Sequence, residues 1–180
     1  MNRKTLIILV VVIVAIIALA AGAYVLLGGG GGGGGGGNPT PTPTSTPTPS
    51  PGVSGASSLQ YSVDITAGGV SQGSYTYMAK NAGTSNMMIR VEITSTEGNL
   101  VYIVNGAQQK AWAYTGGTWQ DLSSTFSTQY DSWQSTFTGY RDHLSGWTGG
   151  DYTYTAPNGD SVRIYNISVN PTLADSLFQP

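Results

Sequence analysis

The stretch Leu59-Gln60-Tyr61-Ser62-Val63-Asp64-Ile65-Thr66 alternates apolar and polar residues without a fault. A period of two puts Leu59, Tyr61, Val63 and Ile65 on one side of an extended chain and the polar residues on the other. This is the pattern of a strand with one buried face. Gly68-Gly69 ends it, and Ser74 to Lys80 resumes it with Tyr75, Tyr77 and Ala79 on one side. Met87 to Thr94 repeats the pattern, with Met87, Ile89, Val91 and Ile93 opposed by Arg90 and Glu92. After the turn residues Glu97-Gly98-Asn99, Leu100 to Val104 is apolar throughout and reads as a fourth strand. Asn105-Gly106 signals a turn. Lys110 to Tyr114 reads as a fifth strand, closed by Gly116-Gly117. Short strands joined by tight turns predict an antiparallel meander.

Beyond the meander the period changes. Phe126, Tyr130, Trp133, Phe137, Tyr140, Leu144 and Trp147 recur at alternating intervals of four and three, one stripe of an amphipathic helix. Asp121, Ser123 or Ser124 is placed to cap its start and Gly146 to end it. Gly139 and the many Ser and Thr residues weaken the helix, so packing of the stripe on the sheet must hold it. Tyr152 to Ala156 and Val162 to Val169 then read as a hairpin around Asn158-Gly159-Asp160, and a short turn of helix follows Asn170-Pro171.

Upstream the chain is of a different kind. Leu6 to Leu27 carries no charge, and its 22 residues span ~33 Å as a helix, the thickness of a bilayer core. Arg3 and Lys4 precede it and no basic residue follows before Lys80, which directs the N-terminus to the cytoplasm and the remainder outside. Ala18-Leu19-Ala20 offers a signal-peptidase pattern as the competing reading, although the apolar run exceeds a normal signal core. No cysteine is present for lipidation or for disulfides, a composition more typical of a prokaryotic surface protein. Gly28 to Gly37 is an unbroken glycine run, and Asn38 to Gly52 alternates proline with threonine and serine. Proline fixes φ and favours polyproline II, so residues 28–58 read as a flexible and then semi-rigid stalk whose hydroxyls are candidate O-glycosylation sites. The expected organisation is therefore a cytoplasmic tip and membrane anchor over 1–27, a stalk over 28–58, and an extracytoplasmic β-rich domain over 59–180.

The order of elements in 59–180 resembles the LolA-type lipoprotein-carrier superfamily. The likeness rests on Met88-Ile89-Arg90-Val91-Glu92, on Leu100 to Gly106 followed by Lys110-Ala111-Trp112-Ala113-Tyr114, and on the ending Val169-Asn170-Pro171 through Asp175-Ser176-Leu177-Phe178-Gln179-Pro180. The resemblance implies an α+β fold, mainly antiparallel. That fold is an incomplete half β-barrel of about seven strands with one amphipathic helix across its concave face. It also implies that the concavity accepts acyl or isoprenoid chains. Tyr61, Val63, Tyr75, Tyr77, Ile89, Val91, Tyr102, Trp112, Phe126, Tyr130, Trp133 and Phe137 would line it, either around a ligand or as a plain closed core.

Other constellations are weaker. The chain carries 9 % charged residues, and the 59–180 region sets five cations against nine carboxylates, a net of 5 − 9 = −4. A nucleic-acid partner would need a basic face. His143 beside Asp142 lacks a Gly-x-Ser-x-Gly elbow and reads as a solvated residue near the helix end, not part of a triad. Glu92 and Glu97 do not form a recognisable glycosidase pair. Asp151, Asn158 and Asp160 fit turn chemistry better than a calcium loop. Asn166-Ile167-Ser168 is a sequon, which makes Asn166 a possible glycosylation site. No metal or cofactor is called for. These readings converge on a single-pass membrane protein with a non-enzymatic binding domain for lipid or other apolar ligands. The alternative is a structural or adhesive surface protein with a closed core.

Overall fold

The computed structural model describes residues 52–95 and 98–180. The expected anchor over 6–27 and the stalk up to residue 51 lie outside these residues. Among the described residues no helix is long and apolar enough to cross a membrane. The folded body starts before Leu59: a 3-10 turn at Val53–Gly55 buries Val53 and delivers the chain into the first strand. Residues 53–58, which the sequence reading includes in the stalk, therefore pack with the domain. A lone valine has no periodicity by which to announce its burial.

Eight strands form one antiparallel sheet: β1 (Ser58–Ala67), β2 (Val70–Lys80), β3 (Met88–Ser95), β4 (Gly98–Asn105), β5 (Lys110–Thr115), β6 (Thr118–Asp121), β7 (Tyr152–Thr155) and β8 (Ser161–Val169). The spatial order is β6-β5-β4-β3-β2-β1-β8-β7, so the sheet is open, with β6 and β7 at its edges. The meander runs outward from β1 to β6. The chain then crosses back as α1 (Phe126–His143), and the β7–β8 hairpin completes the sheet on the far side of β1.

The expected strands are present, extended by a residue or more at most ends. One was not expected. β6 follows Gly116-Gly117, which take φ of 58° and 85° to turn the chain sharply back on β5. Its four residues, Thr118-Trp119-Gln120-Asp121, are too short to show alternation. The helix also stops earlier than the apolar stripe. Leu144 is its C-cap and remains fully buried, whereas Trp147 lies past the end, where its indole N–H donates to the Gly150 carbonyl at 2.7 Å. At the start, Asp121 accepts from the Ser123 backbone N–H at 2.8 Å and so orders the 3-10 turn (Ser123–Thr125) that leads into α1.

The sheet has two covered faces. On the first, Leu59, Tyr61, Val63, Tyr77, Ile89, Val91, Tyr102 and Ile164 meet Trp133, Phe137, Tyr140 and Leu144 from the helix side. On the second, Met88 and Ile103 meet Leu173 and Phe178 from the segment after β8. That segment is pinned by a donor from each of three adjacent strands. Lys80 of β2 donates to the Leu173 carbonyl at 3.3 Å, Arg90 of β3 to the Leu177 carbonyl at 3.0 Å, and Asn105 of β4 to the Phe178 carbonyl at 3.4 Å. Lys80 also pairs with Asp175. The second cover explains why Leu100 to Val104 is apolar at every position: Leu100, Tyr102 and Val104 face the helix, and Val101 and Ile103 face the 173–178 segment.

Candidate functional site

The largest assembly of functional-type side chains is the aromatic group between sheet and helix. The i, i+4, i+7 spacing of Trp133, Phe137 and Tyr140 aims all three at the sheet. Tyr61 and Tyr77 are directly opposite in the β1–β2 register, with ring centroids 5.3 Å apart. Phe137 stacks on Tyr61 at 5.6 Å, and Tyr140 meets Tyr77 at 5.6 Å and Tyr61 at 6.4 Å, edge-on. Tyr102 carries Trp133 at 5.0 Å. Offset and edge-to-face rings at such separations add about 0.5–1.5 kcal/mol per pair beyond their area.

Two hydroxyls tie the helix down. The Tyr61 hydroxyl donates to the Phe137 carbonyl at 2.9 Å, deep in the interface. At the other end of the helix the Tyr130 hydroxyl donates to the carbonyls of Thr84 at 3.2 Å and Ser85 at 3.4 Å, in the β2–β3 connection. The ion pair on the helix, Arg141 with Asp142, is internal to it.

The electrostatics are those of a neutral surface. Burial holds the Tyr77 phenol well above its ordinary range, with the neighbouring phenols of Tyr140, Tyr61, Tyr75 and Tyr154 adding to the effect. Burial also raises Tyr75, and it pushes Tyr102 up to about 12. These tyrosines stay protonated at any physiological pH and cannot serve as bases. The face offers rings, aliphatic groups and a few hydroxyls.

Eleven of the twelve residues expected to line this face do lie on it. Tyr61, Val63, Tyr75, Tyr77, Ile89, Val91, Tyr102, Trp133 and Phe137 are buried in one cluster, and Phe126 and Tyr130 are half-buried at its margin. Trp112 is the exception. In β5 it alternates with Ala111 and Ala113, and those two alanines face the helix. Trp112 therefore points to the other face, beside Ile103 and the 173–178 segment. The alanines are small enough to lie beneath the helix, and a strand of mixed small and large apolar residues does not reveal which set faces inward.

A second feature was not anticipated. His143, the last helical residue, stacks on Tyr154 of β7 with centroids 3.8 Å apart and lies 6.4 Å from Tyr152. It is half-buried, not solvated. Burial lowers its pKa, and the adjacent Asp142 carboxylate acts in the opposite sense. The alternation of Tyr152 and Tyr154 in β7 was the signal, since it carries both rings to the helix side. Elsewhere Glu92 pairs with Arg90 at 2.8 Å, and Asp151 pairs with Arg163 at 2.6 Å. Asn158 and Asp160 bond each other across their turn. Asn166 is exposed at a bulge of β8 against β1, with φ of 53°. Neither a protein-family model, nor a curated protein, nor a solved structure significantly matches the chain.

Proposed function

We propose that residues 52–180 form a non-enzymatic binding domain for lipid or another apolar ligand, carried outside the cell on an N-terminal membrane anchor and stalk. In this reading the open sheet curves as a half-barrel around α1, in the manner of the LolA-type carriers, and an acyl or isoprenoid chain enters between helix and sheet. The observation that carries it is the make-up of the helix-covered face. It is aromatic and aliphatic from β8 across to β5, it holds no charge, and one helix of otherwise polar sequence covers it. Hydroxyl bonds from Tyr61 and Tyr130 and a stripe of rings help to hold that helix, and an apolar chain can replace the ring contacts with contacts of the same kind.

The test is native mass spectrometry with lipid extraction on residues 52–180 released from protein made in its own membrane. It is followed by titration with a fluorescent fatty acid and an isoprenoid. A bound lipid, or saturable uptake with one-to-one stoichiometry that quenches Trp133, supports the proposal. The second reading, a structural or adhesive surface domain, is favoured by the complete burial of Phe137 and Leu144, each at 0 % exposure. A ligand-free mass with no saturable uptake selects it.

A further inference from the structure

The segment after β8 is held on the second face by side chains. The β1–β8 ladder ends at the Leu59–Val169 pair. Past Asn170, among the described residues, the segment's backbone-to-backbone bond lies within its own turn, Leu177 N–H to the Ala174 carbonyl at 3.1 Å. Its other carbonyls are taken by Lys80, Arg90 and Asn105, one donor from each of β2, β3 and β4. Two apolar side chains anchor it against Met88 and Ile103: Leu173 is 8 % exposed and Phe178 0 %. Between the anchors Asp175 pairs with Lys80. Donors for the main chain, pockets for chosen side chains and a charge that sets the register are the parts of a peptide-recognition groove. This one takes an aliphatic residue, an acid two positions on and an aromatic residue three further, as 173, 175 and 178 supply.

These contacts are the same whether the segment comes from its own chain or from another copy. The connection to β8 is a single sharp bend. Asn170 takes φ of 55°, in the left-handed region, and its side-chain oxygen accepts from the Ser57 and Ser58 N–H groups at 2.8 and 3.4 Å. A non-glycine residue held there stores strain, and Pro171 biases the residue before it toward extended backbone. An extended Asn170 continues the direction of β8 and carries the segment off its own sheet, as a hinge does in segment exchange. The three residues from Asn170 to Leu173 reach ~10 Å, so exchange brings the second faces of two copies together as a closed two-fold pair.

We propose that this face is a peptide groove in which two copies of the chain exchange their 173–178 segments, hinging at Asn170, with the cis arrangement as the closed form of the single chain. The proposal is independent of the helix-covered face.

The exposed ion pair makes the test direct. The Lys80 and Asp175 side chains are 32 % and 72 % exposed, so either charge can be reversed without emptying the core. In full-length Lys80→Glu the groove and its own segment repel as two anions, and in full-length Asp175→Lys they repel as two cations. Exchange between the two variants restores an opposite-charge pair in both grooves. Native mass spectrometry of the full chains in detergent micelles should show about fivefold more dimer in the mixture than in either variant alone. A synthetic Pro171–Pro180 peptide in excess should compete that dimer away. No gain on mixing overturns the proposal, and so does a gain that the peptide leaves unchanged, because the contact then lies elsewhere. The natural sequence gives a check without substitutions: the fluorescently labelled peptide should bind the full chain saturably, and absence of binding overturns the proposal as well.

Discussion

At the scale of single residues, the most constrained position on the helix side is a glycine. A Cβ on Gly106 would stand 2.7 Å from the backbone oxygens of both Met87 and Ser85 and 3.0 Å from the Tyr130 ring. Two of the three obstacles are main chain, and Gly106 itself donates to the Met87 carbonyl at 3.0 Å. Neither side can yield without separating the β2–β3 connection from the loop after β4. Gly106→Ala should cost about 1–3 kcal/mol, read as a lower urea midpoint at unchanged slope. Tyr61→Phe isolates a different effect. It keeps the ring stack and removes the hydroxyl that donates to the Phe137 carbonyl, so a loss of about 1 kcal/mol is expected in the same measurement. His143 adds a dependence on pH. Its folded pKa lies below its ordinary value, chiefly through burial, so the unfolded chain takes up a proton that the folded chain resists. Its contribution is present above the ordinary histidine range and is lost as pH falls through that range toward the depressed folded value. The urea midpoint should therefore drop as pH is lowered from about 7 toward 5, and His143→Gln should flatten that part of the profile. An unchanged slope in the variant would assign the dependence to other groups.

At the scale of elements, the segment after β8 has the clearest consequence. Phe178 is fully buried between sheet and turn, and no regular element carries it, only a four-residue 3-10 turn (Asp175–Phe178). Phe178→Ala should cost about 3–5 kcal/mol, as for other buried aromatic truncations, and should leave Met88, Ile103 and Trp112 open to solvent. Calorimetry and dye binding would register both. The same segment shows where sequence reading succeeds and where it stops. The alternation in β1, β2 and β3 gives strand and buried face together, because one side of each is polar. In β4 and β5 it gives the strand only, because the 173–178 segment makes the second side apolar as well. Trp112 was assigned to the wrong face for that reason. The stripe from Phe126 to Tyr140 reveals the helix, but Leu144 and Trp147 continue its spacing after the backbone has left helical geometry. Which strand pairs with β1 on its free side is set by the crossover through α1, and no local pattern encodes that choice.

At the scale of the molecule, the question is whether helix and sheet are one cooperative unit. The sheet is continuous hydrogen bonding across eight strands, with a core on each face of its central strands. The helix adds to this a buried stripe of Trp133, Phe137 and Tyr140 with Thr136 beside them, hydroxyl bonds from Tyr61 and Tyr130, and the stack of His143 on Tyr154. Most of its remaining positions are serine, threonine, glutamine, glycine or charged, and the serines, threonines and glycine have little helical propensity of their own. Without its docking the helix has little reason to persist, whereas the sheet keeps its ladder and its second core. Elements with few buried contacts open at lower free energy than the global unfolding that exposes central strands. Hydrogen exchange read by mass spectrometry should therefore show amides of 126–143 exchanging through a sub-global opening insensitive to low denaturant, while those of β1 to β4 exchange only with global unfolding. Such an opening is the motion that uptake of an apolar chain requires, and a bound chain should slow it. If helix and sheet amides instead exchange with one common free energy and one common denaturant slope, the aromatic stripe is core in the full sense. The domain is then a closed structural body, with its binding surfaces on the outside.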